Sequence, residues 1–172
     1  MKPKNSFDAI VIGAGPAGST AAYLMASYGF DVLMLDKHVF PRDKLCGGLL
    51  TWKTVWLIES IFQRSIDFLK SQKIVTYQSF DYSLCTRGGI SIKGKLDYPF
   101  YFVDRSAYDF YWIKMAREAG AEFKSDEKVI SLDPLKNQIF TNKGNEFSGK
   151  FISGADGALS KVKKLLSPKG FI

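Results

Sequence analysis

Asp8-Ala-Ile-Val-Ile-Gly-Ala-Gly-Pro-Ala-Gly-Ser19, followed by Asp31-Val-Leu-Met-Leu-Asp36, decides the fold of this 172-residue chain. The first apolar run predicts a strand, the glycines a tight turn, 17–28 a helix closed by Gly29, and the second run another strand ending on an acid. Each part suits a dinucleotide. Gly13 turns the chain sharply out of the strand, and Gly15 leaves the backbone open to a pyrophosphate. Gly18 lets the helix pack tightly on the sheet. The helix start, with Pro16 and Ala17, aims free N–H groups and a positive dipole end at phosphates. Asp36, 18 residues after Gly18, is placed to accept hydrogen bonds from a ribose. Its charge would repel a 2′-phosphate, so the expected cofactor is FAD or NAD. The alternative is a plain βαβ turn with no ligand, because this glycine spacing alone also occurs in ordinary loops.

The rest of the chain narrows the class. Hydrophobic content of 46% and charged content of 24% are those of an ordinary globular protein. No apolar run approaches the ~18 residues of a membrane span. The polar lead 1–6 lacks the apolar core of a signal peptide, so a cytoplasmic location is expected. The net charge of +7 admits a solvated basic surface, attraction to nucleotide phosphates, or peripheral contact with anionic lipid headgroups. Lys and Arg are scattered and no nucleic-acid motif is present, so no nucleic-acid partner is expected. Cys46 and Cys85 make neither a disulfide framework nor a zinc spacing, and no metal site is expected.

After the βαβ unit, 37–50 reads as a loop with Pro41, Gly47 and Gly48. Helix is expected over 51–62, with a further turn or two at 66–69. Strands are expected over 74–84, 90–96 and 101–103, with turns at Arg87-Gly-Gly89 and Lys93-Gly94. Asp104 is a candidate N-cap for a helix over 105–119 that Gly120 ends. Short strands follow at 122–124 and 128–132, a hairpin at 138–142 and 145–148, a last strand at 150–153, and a helix over 158–166. An uninterrupted NAD-binding sheet would continue βαβαβ; here a strand-rich piece interrupts it.

Three segments together carry a resemblance: Gly13-Ala-Gly-Pro-Ala-Gly18 with Asp36, Pro41-Arg-Asp-Lys-Leu-Cys-Gly-Gly48, and Gly154-Ala-Asp-Gly-Ala158. The chain resembles the N-terminal part of FAD-dependent oxidoreductases of the geranylgeranyl reductase family, within the wider aromatic-hydroxylase-like group. Arg105-Ser-Ala-Tyr-Asp109 resembles the start of a helix that these proteins carry. The resemblance spans roughly 7–164. It implies an α/β, Rossmann-like FAD/NAD(P)-binding fold of the glutathione-reductase type, with an antiparallel strand-rich insertion at about 71–104 and truncation at the C-terminus. All of 1–172 would then be the N-terminal part of one FAD-binding domain.

The resemblance also implies roles. Gly13, Gly15, Pro16, Ala17 and Gly18 would hold the FAD pyrophosphate, and Asp36 with Lys37 the adenosine ribose, although glutamate is commoner than aspartate there. Arg42 would offset phosphate charge; an ordinary surface arginine is the alternative. Arg105 would sit on the flavin side of the phosphates, or be an exposed residue of a first helical turn. Val129 would offer backbone hydrogen bonds to adenine, or be a core valine. Asp156 and Gly157 would form a second wall, a role compatible with Asp156 capping the helix after it. Cys46, Gly47 and Gly48 would lie beside the isoalloxazine, where the Cys46 thiol is the catalytic candidate; a small buried hydrophobe is the alternative. Cys85 is expected in the core, His38 in a solvated loop, and the aromatics Trp52, Trp56, Phe62, Tyr108, Tyr111 and Trp112 mostly in the core.

The implied reaction is reduction of isoprenoid double bonds in a prenyl lipid. An FAD monooxygenase of the aromatic-hydroxylase type is the second reading, and a non-catalytic dinucleotide-binding remnant the third. Family members are longer and carry a later Gly-Asp-Ala segment against the flavin, which does not occur here. The chain is therefore expected to be a fragment, a truncated product, or one part of a split protein whose other half is a second chain.

Overall fold

The computed structural model describes residues 5–166; residues 1–4 of the expected polar lead 1–6 and the closing 167–172 lie outside them. The described residues form two compact units, one of 5–42 with 109–166 and one of 43–108.

The first unit is built on β1 (Ser6–Ile12), whose apolar run is buried from Ala9 onward. Helix α1 (Pro16–Ser27) follows the glycine turn, with Pro at its start and Gly29 (φ +83°) just past its end. It leads into β2 (Val32–Leu35), four residues buried on both faces. Strand β1 pairs in parallel with β2 on one side and with the late strand β9 (Glu146–Gly154) on the other. Strand β6 (Glu122–Lys124) extends the parallel part beyond β2, while β8 (Gln138–Thr141) and β7 (Val129–Asp133) add antiparallel strands beyond β9. The six-strand order is β6-β2-β1-β9-β8-β7.

The continuous apolar runs of β1 and β2 follow from burial on both faces. Ala9, Val11, Val32 and Met34 point to a core that Ala22 and Ala26 of α1 share with Ile113 and Ala116 of α4 (Arg105–Glu118). Ile10, Ile12, Leu33 and Leu35 point the other way, onto Val129, Ile139, Phe147 and Val162. Each such side chain contributes about 1.5–3 kcal/mol on full burial. The last helix, α5, runs over Lys161–Leu166.

The second unit has β3 (Leu49–Leu50), α2 (Trp52–Phe62), α3 (Ile66–Ser71), β4 (Val75–Cys85) and β5 (Ser91–Val103), its strands ordered β3-β5-β4 and antiparallel. The side chain of Asp104 accepts the Ala107 N–H at 2.9 Å, as an N-cap should.

Several readings need correction. Lys93-Gly94 is no turn: β5 runs straight through it, and Gly94 pairs with Tyr82. Likewise 145–148 and 150–153 are one strand, β9. Strand β3 falls inside the expected loop, and α5 starts three residues later than expected. Trp52 and Trp56 are exposed by 58% and 53%, so neither is core, and Cys85 stands exposed on β4. Phe62, Tyr108 and Trp112 are buried as expected. No helix among the described residues is long and apolar enough to cross a membrane.

Candidate cofactor site

The carboxyl ends of β1, β2 and β9 lie side by side in the first unit, which is where doubly wound sheets bind nucleotides. Gly13 leaves β1 at φ +106°, and a Cβ there would stand 2.4 Å from the Ala155 carbonyl oxygen. A Cβ on Gly18 would stand 1.7 Å from the Gly13 oxygen. These two glycines are compelled by the fold itself. Gly15 is different: nothing lies within 4 Å of where its Cβ would be. It occupies the N-cap position of α1 with no side-chain cap and no acid in the first turn. Open backbone at an uncapped helix start suits a pyrophosphate.

Asp36 is 7% exposed at the end of β2. Its Oδ2 accepts the Ala14 N–H at 2.8 Å, which straps the glycine turn to β2. Its Oδ1 accepts the His38 backbone N–H at 2.9 Å and faces His38 Nδ1 at 3.0 Å. The backbone around it is fixed as well: Asp36 N–H donates to the Lys124 oxygen, and Glu127 N–H donates to the Asp36 oxygen at 2.8 Å. Glu127 thereby brings the entry to β7, with buried Val129, beside Asp36. Lys37 is exposed next to it.

Arg42 is not an ordinary surface arginine. Its side chain is 14% exposed, with Nη2 at 3.4 Å from Oδ2 of the wholly buried Asp109, and its guanidinium lies 4.9 Å from the Phe40 ring centre. Asp156 accepts the Lys161 N–H at 2.5 Å and the Val162 N–H at 3.1 Å through Oδ2, and the Ser160 hydroxyl at 2.5 Å through Oδ1. Its carboxylate caps the start of α5, and Gly157 follows at φ +86°.

The remaining candidates lie in the second unit. Cys46 is exposed rather than a buried hydrophobe. Its thiol is held below the ordinary thiol range by the Gly48 N–H, 3.4 Å from Sγ, then by a hydrogen bond from the Arg105 side chain and the charges of Arg105 and Lys44. Gly48 adopts φ +69°, and a Cβ on it would stand 2.1 Å from the Val103 oxygen, whereas Gly47 has open space around it. Cys85 is also lowered, by hydrogen bonds with Ser91 and then Ser83.

Asp109 and the Asp36–His38 contact escaped the sequence reading. Asp109 left a signal: residues 109, 113 and 116 share one helix face, so an aspartate there needed a cation. The His38 contact left none.

A turn of this kind on a parallel sheet, with an acid closing the second strand, defines a Rossmann-type dinucleotide-binding protein. The pattern of the NAD(P)-binding Rossmann-like domain matches residues 11–53. Two uncharacterised Methanosarcina barkeri proteins are each 30% identical over 95% of this chain; the match covers 41% of one and 89% of the other, which is encoded in the nifH2 5′ region. Digeranylgeranylglycerophospholipid reductase 1 of Methanococcoides burtonii is 28% identical over 92% of this chain and 40% of its own length. Among solved structures, a mutant of the halogenase PltM in complex with FAD superposes with a TM-score of 0.81 at 19% identity, over 95% of this chain and 36% of that one. A geranylgeranyl bacteriochlorophyll reductase-like protein from Thermoplasma acidophilum gives 0.74 at 20% identity, over 89% and 40%.

The chain belongs to the geranylgeranyl reductase family of FAD-dependent oxidoreductases. It spans about two fifths of the length of the Methanococcoides reductase and of the first Methanosarcina protein.

Proposed function

We propose that this chain binds FAD through the glycine turn and Asp36, and that it forms the cofactor-binding part of an oxidoreductase that saturates isoprenoid double bonds in prenyl lipids. The observation that supports this most is Gly15, with nothing within 4 Å of where its Cβ would be, at the uncapped start of α1. When bound, the flavin supplies the hydride chemistry.

The chain's own groups have distinct tasks in this reading. The backbone N–H groups of Gly15, Ala17 and Gly18 at the start of α1 hold the pyrophosphate, Pro16 having none to offer. Asp36 and Lys37 take the adenosine ribose, Val129 offers its backbone to adenine, and Arg42, oriented by Asp109, offsets phosphate charge. Asp156 and Gly157 close the opposite wall. Gly47, with open space where its side chain would be, leaves room for a flat ring and an alkene, Gly48 lets the loop press on the Val103 carbonyl, and Arg105 stands by the thiol. Cys46 Sγ–H gives a proton to one alkene carbon while hydride adds to the other. The thiolate left behind is held by the Gly48 N–H and by Arg105.

Pro41-Arg-Asp-Lys-Leu-Cys-Gly-Gly48 and the named reductase relative favour this over an aromatic hydroxylase. The lipid substrate suits a basic protein working at a membrane surface. Since the longer relatives carry more than twice this length, we further propose that turnover requires the portion beyond this one, supplied by a second chain if not by this one.

Titrating FAD into the purified chain tests the reading. Saturable binding with a perturbed visible band and quenched flavin fluorescence is expected; a folded sample that binds none overturns it. With FAD bound, an anaerobic reductant and a geranylgeranyl lipid should yield products two hydrogens heavier per double bond once the remaining portion is supplied. Oxygen uptake with an aromatic substrate instead would favour a monooxygenase.

A further inference from the structure

We infer that the His38 ring occupies the ribose-accepting position of Asp36 and must be displaced when the adenosine half of a dinucleotide binds, which makes His38 a determinant of nucleotide affinity. The inference rests on the proposed dinucleotide site.

Lone-pair arithmetic at Asp36 carries the inference. A carboxylate has about four acceptor positions, two on each oxygen. Oδ2 uses one on the Ala14 N–H, and Oδ1 uses one on the His38 backbone N–H and one on His38 Nδ1. One position is left, on Oδ2. A ribose offers two neighbouring hydroxyls, and gripping both needs a second position.

The ring is the occupant that can leave. The two backbone donors, one on each oxygen, already fix the carboxylate's plane. They belong to Ala14 in the glycine turn and to a segment bolted at both ends: Asp36 to Lys124 and Glu127, and the His38 carbonyl oxygen to the Asp126 N–H at 3.2 Å. The His38 side chain is half exposed, while that of Asp36 is 8% exposed, so only the ring can swing into water. Its bond to Asp36 is thus surplus to positioning and competes with the ligand.

The neighbouring charged groups are engaged elsewhere: Lys124 is paired with Glu122, Asp126 with Lys143, and buried Glu127 is bonded to Asn145. His38 is the single histidine of the chain, so one ring reports on the site.

The test measures ADP and FAD affinity for the wild type, His38→Ala and His38→Gln at one fixed pH. His38→Ala should bind about three- to tenfold tighter than wild type, the worth of one competing hydrogen bond. His38→Gln, which keeps a side-chain donor, should bind like wild type. Imidazole nitrogen NMR, with one ring to observe, should show the Nδ1 signal shift when ADP is added. Binding with an unmoved ring signal, or equal affinity in wild type and His38→Ala, overturns the displacement alone. No binding of ADP or FAD to any folded variant overturns the dinucleotide reading and the displacement with it.

Discussion

The Gly13 carbonyl oxygen stands 1.7 Å from where a Cβ on Gly18 would be, while a Cβ on Gly15, between them, would meet nothing within 4 Å. Two kinds of glycine share one motif. The outer pair is required by how the chain packs on itself, and the middle one by whatever approaches from outside. Gly18→Ala should therefore cost the fold: no flexible side chain can yield, and the helix must move off the strand. Overpacking of this sort costs about 1–3 kcal/mol or more. Gly15→Ala, at an ordinary φ of −69°, should cost no more than about 1 kcal/mol through the cap. Its effect should appear instead as at least a tenfold loss of FAD affinity. Thermal melting and flavin titration on the two variants separate the cases; equal losses of affinity with unchanged melting would show that both glycines serve the ligand.

Arg42 and Asp109 make a second separable prediction. A wholly buried carboxylate 3.4 Å from a mostly buried guanidinium is expensive to break from one side. Arg42→Met should destabilise the chain by about 3–5 kcal/mol, because it strips charge compensation from Asp109. The double variant Arg42→Met with Asp109→Leu should recover most of that loss, since an apolar pair of similar volume removes both desolvation costs. Urea denaturation of the four proteins in the cycle gives the coupling. If Arg42 also offsets phosphate charge, the rescued double variant should still bind FAD weakly.

The nucleotide half of the fold was legible because its rules are local: an apolar run, glycines at fixed spacing, an acid after the next run. Legibility failed where a glycine does something other than turn the chain. Gly94 sits mid-strand because the Tyr82 ring lies across it, with the hydroxyl 2.5 Å from a would-be Cβ. Gly149 likewise makes room for Ile10, whose Cγ1 would be 3.0 Å away. A glycine under a neighbour's side chain and a glycine in a turn look alike in one dimension. Trp52 and Trp56 misled differently: helical spacing shows that residues share a face, not that the face is covered. At the site, Asp36 and the turn were readable as a pair, but the third partner, His38, is fixed by a rotamer rather than by spacing.

Asp36 should prove structural as well as ligand-binding. Asp36→Ala leaves the Ala14 N–H without its acceptor, at a cost of about 1–3 kcal/mol for a buried donor. Asp36→Asn rescues only in part, because its oxygen can serve one of the two backbone donors while its amide nitrogen must face the other, Ala14 or His38. Both variants should melt lower than wild type and lose ADP binding, with Asn between Ala and wild type. An Asp36→Asn protein that is as stable as wild type would show that the strap between turn and strand is energetically idle.

The Cys46 thiol offers a prediction in which the sign matters. Hydrogen bonding from the Gly48 N–H and from Arg105 favours the thiolate, so its titration lies below that of a free cysteine. At neutral pH more of it is ionised, and iodoacetamide should alkylate it faster than free cysteine. The rate should also level off at a lower pH. Because Cys85 is exposed and lowered too, the measurement belongs in a Cys85→Ser background. Arg105→Met removes one hydrogen bond and the nearby charge, which should move the midpoint upward. It should not move it all the way, since the Gly48 N–H stays. Arg105→Lys keeps the charge with a different reach and should fall between. An Arg105→Met midpoint equal to the parent's would mean that Arg105 does not act on the thiol, and that the leaving thiolate of the proposed proton transfer is held by backbone alone.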